Sequence, residues 1–432
     1  MIYWAQLLHF YQPPTQVPSV LRKICDESYR PLLQVFEEYP SARLTINFNG
    51  VLTEMLIDCG HKDIIEGLRS LAERGQLEFT GTAKYHPILP LIPREEVKRQ
   101  INLNIQTNRR FFGEAYTPQG FFPPEMCYSR DILQPIINAG YRWIILSGIA
   151  CPADWPVDII YKVECAGREI PVFFRDDVLS NRISFRNMEA KEFIAHLEKW
   201  QGDKENIYVV TAMDAETYGH HIQGWERTFL ARVYQELVSS NKEPLAGVRQ
   251  TTALAGQHTT LLTNREAAGK IQMVTISQLL DLFPRGQPIE PRPSSWSTTA
   301  EDMQAGNYYP LWRDQSNEIH RLQWEHLDIC IELVNKALEC ADNEESHQSA
   351  TIARGLLDRA EHSCQMWWAS KRPMWDVNLI HMGLLDQWRT VVNAYRAIYK
   401  SGVDEKTKHE YYRRAVAARD IRSKLEDKLF AQ

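Results

Sequence analysis

Over residues 1–285 the chain repeats one pattern, a short run of β-branched and aromatic residues followed by a stretch with helical apolar spacing. The strand-like runs are 2 to 8 (IYWAQLL), 43 to 48 (RLTINF), 76 to 80, 118 to 122, 142 to 147 (RWIILS), 169 to 174, 207 to 213 (IYVVTAM) and 271 to 275. Helical spacing fills intervals such as 94 to 112, 130 to 139, 189 to 200 and 226 to 240. Near-continuous apolar strands alternating with amphipathic helices mean a parallel sheet with helices outside it. Seven or eight such units favour a closed or nearly closed α/β barrel over an open sheet.

The pattern then stops. A Pro- and Ser-rich linker is expected over 286–312, beginning GQPIEPRPSSWSTT, and after Trp312 the strand signal is gone. Segments 315–341, 346–369, 379–400 and 404–430 have helical spacing, so 313–432 reads as a C-terminal helical domain.

Composition excludes several classes of function. No stretch approaches the roughly 18 apolar residues of a membrane span, and the opening MIYWAQLLHFYQPP lacks a cationic leader, so a cytoplasmic protein with no membrane partner is expected. The net charge is −6 and basic runs go no further than pairs such as Arg109-Arg110, which leaves no surface for tracking nucleic acid. The eight cysteines form no CxxC pair, which argues against a zinc ribbon or a dithiol redox site. The 12 Trp and 18 Tyr, many beside polar residues, suit the stacking of sugar rings as well as they suit a large core.

In a parallel α/β barrel the functional groups follow the C-terminal ends of strands. The first strand delivers His9, Tyr11 and Gln12, the second Asn47, and the third leads to Lys84, Tyr85 and His86. Later runs end in Pro123-Pro124-Glu125, in Arg175-Asp176-Asp177 and in Asp214-Ala215-Glu216, followed by His220 and His221. Glu125 follows two prolines that stiffen the turn aiming it. Asp214 ends a strand of Val, Val, Thr, Ala and Met, where an acid is costly unless the site needs it or it caps a helix. Two carboxyl groups at one rim are what glycoside cleavage requires. One donates a proton to the leaving oxygen and the other stands at the anomeric carbon, with a separation of about 5 Å giving retention.

His220 and His221 invite a metal reading. Adjacent histidines on one backbone rarely hold the same ion, and ligands from other strands such as His9 or Asp214 would be needed, so substrate hydrogen bonding or helix capping is expected of them ahead of metal binding.

Five ordered blocks carry a resemblance to glycoside hydrolase family 57, which includes α-amylases, 4-α-glucanotransferases and glycogen-branching enzymes. They are His9-Phe10-Tyr11-Gln12-Pro13, GQLEFTGTAKYHPILPLIP from Gly75, FFPPEMCYS around Glu125, MDAETYGHHIQGWE from Met213, and RAEHSCQMWWAS from Arg359. The resemblance implies an incomplete TIM-like (β/α)7 barrel whose cleft is completed by the helical domain. It also implies a retaining mechanism on α-1,4-glucans without a cofactor, with Glu125 as nucleophile and Asp214 as general acid, then base. His9, Tyr11, Gln12, His86, Arg175, His220, Trp296 and Trp367 are the expected substrate contacts, with Trp312 and Trp368 as further stacking candidates. Arg175 is expected to pair with a catalytic carboxylate. One position departs from the family pattern, since Tyr11 stands where the family has its second histidine, and a tyrosine carries no titrating proton at neutral pH. Hydrolysis of the α-amylase type is favoured over glucan transfer or branching. The readings from other classes are a non-catalytic glycan-binding protein and a metal-dependent deacetylase, and for the latter a convincing Asp-Asp plus HxxxH set is missing.

Overall fold

A computed structural model describes residues 1–240 and 270–431. Ten strands are present among them: β1 (Ile2–Phe10), β2 (Leu44–Phe48), β3 (Leu77–Thr80), β4 (Gly120–Phe121), β5 (Trp143–Ser147), β6 (Ile160–Cys165), β7 (Arg168–Arg175), β8 (Ile207–Asp214), β9 (Ile271–Val274) and β10 (Arg285–Pro288). They form two five-stranded sheets, one ordered β3-β2-β1-β8 with β9 also on β1, the other β10-β6-β7-β5-β4. All ladders are parallel except β6 with β7.

Two narrow seams join the sheets into a ring of seven parallel strands. At one, Gly81 bridges Phe121 between β3 and β4. At the other, the Asp176 amide after β7 donates to the Val210 carbonyl of β8 at 2.8 Å. This is the incomplete (β/α)7 barrel expected from the alternating pattern. Gly120 at the first seam has a steric reason to be glycine, because a Cβ there would stand 1.9 Å from the Trp143 ring.

Side-chain parity sorts every strand into two faces. Outward residues of β1, β2 and β8 (Trp4, Leu8, Phe10, Ile46, Val209, Met213) pack under the surrounding helices. Inward residues (Ala5, Leu7, Trp143, Ile145, Phe173, Tyr208, Val210, Ala212) fill the barrel. The same parity carried to the C-terminal ends turns His9, Asn47, Arg175 and Asp214 inward, where the apolar filling gives way to a polar rim.

Beyond the strands come long helices at Glu318–Cys340, Glu344–Ala360, Val377–Lys400 and Glu405–Phe430. Local chemistry sets where they start: Asn317 and Asp376 cap their first amides, and Asn343 forms a capping box with Ser346. Leu327, Val334, Leu357 and Val391 share one apolar cluster with Leu133, Ile144 and Phe174 on the outside of the barrel. A buried ionic network reinforces that junction. Arg354 holds Glu96 through two bonds at 3.0 and 2.8 Å and also reaches Asp358, which Arg99 clasps at 2.6 and 2.7 Å.

Two strands escape the sequence pattern. β6 alternates polar and apolar residues and turns back into β7 through Ala166 and Gly167, both at positive φ (50° and 76°), as a two-residue hairpin requires. β10 then adds Arg285–Pro288 to the edge of β6. The segment expected to act as a linker is thus held in place, for Ser294 bridges Tyr128 and the Trp296 amide donates to the Glu125 carbonyl. Prolines favour extended backbone, and extended backbone can pair with an edge, which composition does not reveal. No described helix is long and apolar enough to cross a membrane.

Candidate active site

His9 and Asp214 are register partners at the top of the β1–β8 ladder. The Asn47 side chain orients His9: its amide nitrogen donates to Thr80 Oγ1 at 3.0 Å, leaving its oxygen to accept from His9 Nδ1 at 2.6 Å. That network assigns the His9 proton to Nδ1 and the lone pair to Nε2, which is buried without a partner.

Glu125 follows the Pro123-Pro124 turn in the left-handed region (φ 57°, ψ 19°), with Met126 (φ 50°) next to it and His86 at φ 60°. Each non-glycine residue held there costs about 1–3 kcal/mol, so the surrounding packing must fix these positions. Trp296 supplies part of it, donating from Nε1 to Glu125 Oε2 at 2.8 Å. Glu125 Oε1 lies 3.7 Å from His86 Nδ1.

An aromatic stack lines the space between these groups. Tyr11 lies on His86 with ring centres 4.0 Å apart, His86 on His9 at 5.0 Å, and His9 on Phe122 at 5.0 Å. Residues 362–364 return from the helical segment to this stack. Ser363 Oγ is 3.0 Å from His86 Nδ1, and Cys364 Sγ is 3.4 Å from the Tyr11 hydroxyl.

Burial dominates the electrostatics. It lowers His9 and drives His86 well below the ordinary imidazole range, so both are neutral at pH 7. It also raises both carboxyls. Glu125 is pushed up to about 8 by burial and then by the charge of Asp214, against the Trp296 hydrogen bond. Asp214 is raised by burial too, but His9 and Arg175 pull it back down. The pair therefore behaves as two coupled acids that resist ionising together.

Arg175 works at a distance. Its guanidinium bonds the Ala212 carbonyl (2.7 Å), Asp177 (2.7 Å) and Asn181 (2.8 Å), and its ion-pair partner among the described residues is Asp177. The expected pairing with a catalytic carboxylate gives way to this arrangement, because Asp177 at the start of the next helix meets the fork first. Gln12 is likewise engaged, donating to Glu216 and accepting from Gln16. His220 pairs with Glu27 at 2.7 Å. Trp296 touches Glu125 directly, and Trp367 is half-buried between two helical clusters. Trp312 and Trp368 are only 1% and 4% exposed and belong to the core, which removes them as stacking platforms.

Three residues of this site stand at strand ends in the sequence but were given no role there. Asn47 sits inward on β2 by parity and was legible by that rule. Glu216, bonded to Gln12 and Tyr29, is pushed up to about 8 by burial and by Asp214. Asp177 accepts from Ser147 and the Ile149 amide while holding Arg175. It also borders a separate pocket of about 700 Å³ between Trp155 and Trp200, and none of His9, His86, Glu125 or Asp214 lines that pocket.

The arrangement of a polar rim on a parallel barrel, with two coupled inward carboxyls beside neutral imidazoles, matches a known class. The family model described as glycosyl hydrolase family 57 matches residues 7–260, and the chain belongs to that family. Among curated relatives, an α-amylase of Pyrococcus abyssi (strain GE5 / Orsay) is 27% identical over 242 residues, covering 52% of this chain and 35% of that protein. A 4-α-glucanotransferase of Thermococcus litoralis is 27% identical over 252 residues, covering 55% of this chain and 36% of that protein. The match thus spans about a third of the length of these relatives. Among solved structures, a family 57 branching enzyme from Pyrococcus horikoshii shares the fold with a TM-score of 0.69 at 17% identity, covering 96% of this chain and 94% of that one. An α-amylase from Thermotoga maritima shares it with a TM-score of 0.65 at 16% identity, covering 96% of each chain.

Proposed function

We propose that this chain is a retaining glycoside hydrolase acting on α-1,4-glucans, with Glu125 as nucleophile and Asp214 as general acid and then base. The observation that carries the reading is that His9 brings the two carboxyls to one rim: Asp214 is its register partner, and Glu125 shares with it and His86 a cluster of ligand atoms within 4.8 Å of one another. In the first step Glu125 attacks the anomeric carbon while Asp214 protonates the departing oxygen, and a covalent glycosyl ester forms. Asp214, now ionised, takes a proton from water, which attacks the same carbon and releases Glu125. His9, through its unpartnered Nε2, and His86, whose Nδ1 lies 3.7 Å from Glu125, bind sugar hydroxyls. Tyr11 and Trp296 shape the walls, Arg175 acts on Asp214 through its charge, and Gln12 holds Glu216. His220 and Trp367 serve flanking sugars.

In this reading residues 1–285 form the catalytic unit, 286–312 the connection and 313–432 the helical domain that completes the cleft. The relatives named α-amylase and 4-α-glucanotransferase support an α-glucan substrate. All eight cysteines are free thiols, which supports a reducing, cytoplasmic setting.

One observation favours a second assignment of roles. Glu125, pushed up to about 8 by burial and by the charge of Asp214, keeps its proton at neutral pH, whereas a nucleophile must be ionised. Trapping with a 2-deoxy-2-fluoro glucosyl donor followed by peptide mass spectrometry decides between them. A label on Glu125 supports the stated roles, and a label on Asp214 reverses them. Incubation with maltoheptaose tests the reaction itself. Shorter products released with the α-configuration are expected, whereas products longer than the substrate would convert the assignment to glucan transfer.

A further inference from the structure

We propose that the pocket between His9, His86 and Glu125 is a binding site for a zinc-class divalent cation, and that the bound cation blocks the glucan site by occupying Glu125. The inhibitory half of the proposal rests on the function proposed above; the binding half does not.

The geometry is that of a ligand set. One ligand atom from each of His9, His86 and Glu125 falls within 4.8 Å of the others, so a single ion can reach all three. Two imidazoles and one carboxylate are the donors that zinc and its neighbours cobalt and copper prefer, with a fourth position left to solvent. The His9 nitrogen is prepared for it. Asn47 Oδ1 accepts the hydrogen bond from His9 Nδ1, which leaves the lone pair on Nε2, the same outer contact that orients metal-bound histidines. On His86 the nitrogen that lies toward Glu125 is Nδ1, 3.7 Å from Oε1 and 3.0 Å from Ser363 Oγ. His9 Nε2 is buried without a partner, in a side chain only 3% exposed. An unpartnered buried acceptor is costly, and a cation would satisfy it.

The surroundings favour positive charge. Trp296 occupies only Glu125 Oε2, so Oε1 is available. Asp214 adds a second negative group across the rim. Thiols do not compete from within the set: Cys127 packs outward with Phe121 and Tyr128, and Cys364 faces the Tyr11 hydroxyl. Glu125 held by a metal cannot attack an anomeric carbon, and a sugar ring cannot fill the space taken by the ion.

The test uses the full chain stripped with EDTA and titrated with zinc chloride and with cobalt chloride. Calorimetry should show one tight site per chain. E125Q, H9Q and H86Q should each weaken it at least about tenfold, while H347A on the exposed surface leaves it unchanged. Cobalt should give visible bands without thiolate charge transfer, and maltotriose should displace it from the wild type. Absence of tight zinc uptake, equal affinity in all variants, or a thiolate band would overturn the site. Cobalt and maltotriose bound together would overturn the blocking. If maltotriose fails to bind the metal-free chain, the glucan reading fails, while the calorimetry still judges the cation site.

Discussion

Trp296 is joined to Glu125 twice, its backbone amide donating to the Glu125 carbonyl at 3.1 Å and its indole Nε1 to Oε2 at 2.8 Å. A tryptophan expected to stack on sugar thereby also positions the carboxylate proposed as nucleophile. The first bond fixes the strained turn and the second stabilises the ionised form.

Trp296→Phe keeps the ring and removes the Nε1 donor. The lost bond stops favouring the carboxylate, so Glu125 should hold its proton to still higher pH. A hydrogen bond to a charged group contributes about 1.5–3 kcal/mol, which moves the acidic limb of the kcat/KM profile upward by about one pH unit or more. An unchanged limb would remove the indole from control of Glu125.

Glu125→Gln should stabilise the fold while abolishing turnover. Burial raises Glu125 from an ordinary 4.5 to about 8, so between those values the folded chain binds more protons than the unfolded one. Stability contributed by this group is then full below pH 4.5 and lost as pH rises toward 8. Glutamine has no such dependence, so the variant's Tm should exceed the wild type's by an amount that grows across this window, at most about 2–4 °C per kcal/mol for a chain this long. Equal melting profiles at pH 5 and pH 8 would contradict the coupling.

Asp214→Asn should lower kcat on maltoheptaose by about 10²–10⁴-fold, the usual contribution of a general acid. With an aryl glucoside whose leaving group needs no proton, the first step should recover while release of the intermediate stays slow, giving a burst. Equal losses on both substrates would deny Asp214 the acid role.

Arg354→Met should destabilise the junction between helix and barrel by about 3 kcal/mol or more, because removing one partner strands buried charges. Glu96 loses both its bonds, and only Arg99 remains on Asp358. The urea midpoint should fall with little change in KM for glucan. A midpoint within error of the wild type would show that the network contributes specificity of packing and little stability.

The sequence made the inward ring legible because strand periodicity fixes which face a residue takes. His9, Arg175 and Asp214 each lie an even number of residues from an apolar barrel-filling neighbour (Leu7, Phe173 and Ala212), so their direction followed from counting. Partners across strands were less accessible. That Asp177 takes Arg175, or that Glu216 takes Gln12, depends on side-chain reach between elements, to which pattern and propensity are blind. β6 and β10 were missed for a related reason. Their residues carry no continuous apolar run, and their pairing depends on an edge that exists only once β7 is in place.

β1 takes its partners from distant parts of the chain: β8 along one flank, and on the other β2 at its upper half and β9 at its base. During synthesis the base of that flank waits for Ile271–Val274, which at about 5–20 residues per second arrives on the order of ten seconds or more after β1 itself. Until then an apolar strand with open backbone groups is available for wrong pairing. Covering the base of β1 is therefore a late event of high contact order, and a fragment ending before Ile271 should be more aggregation-prone than the full chain.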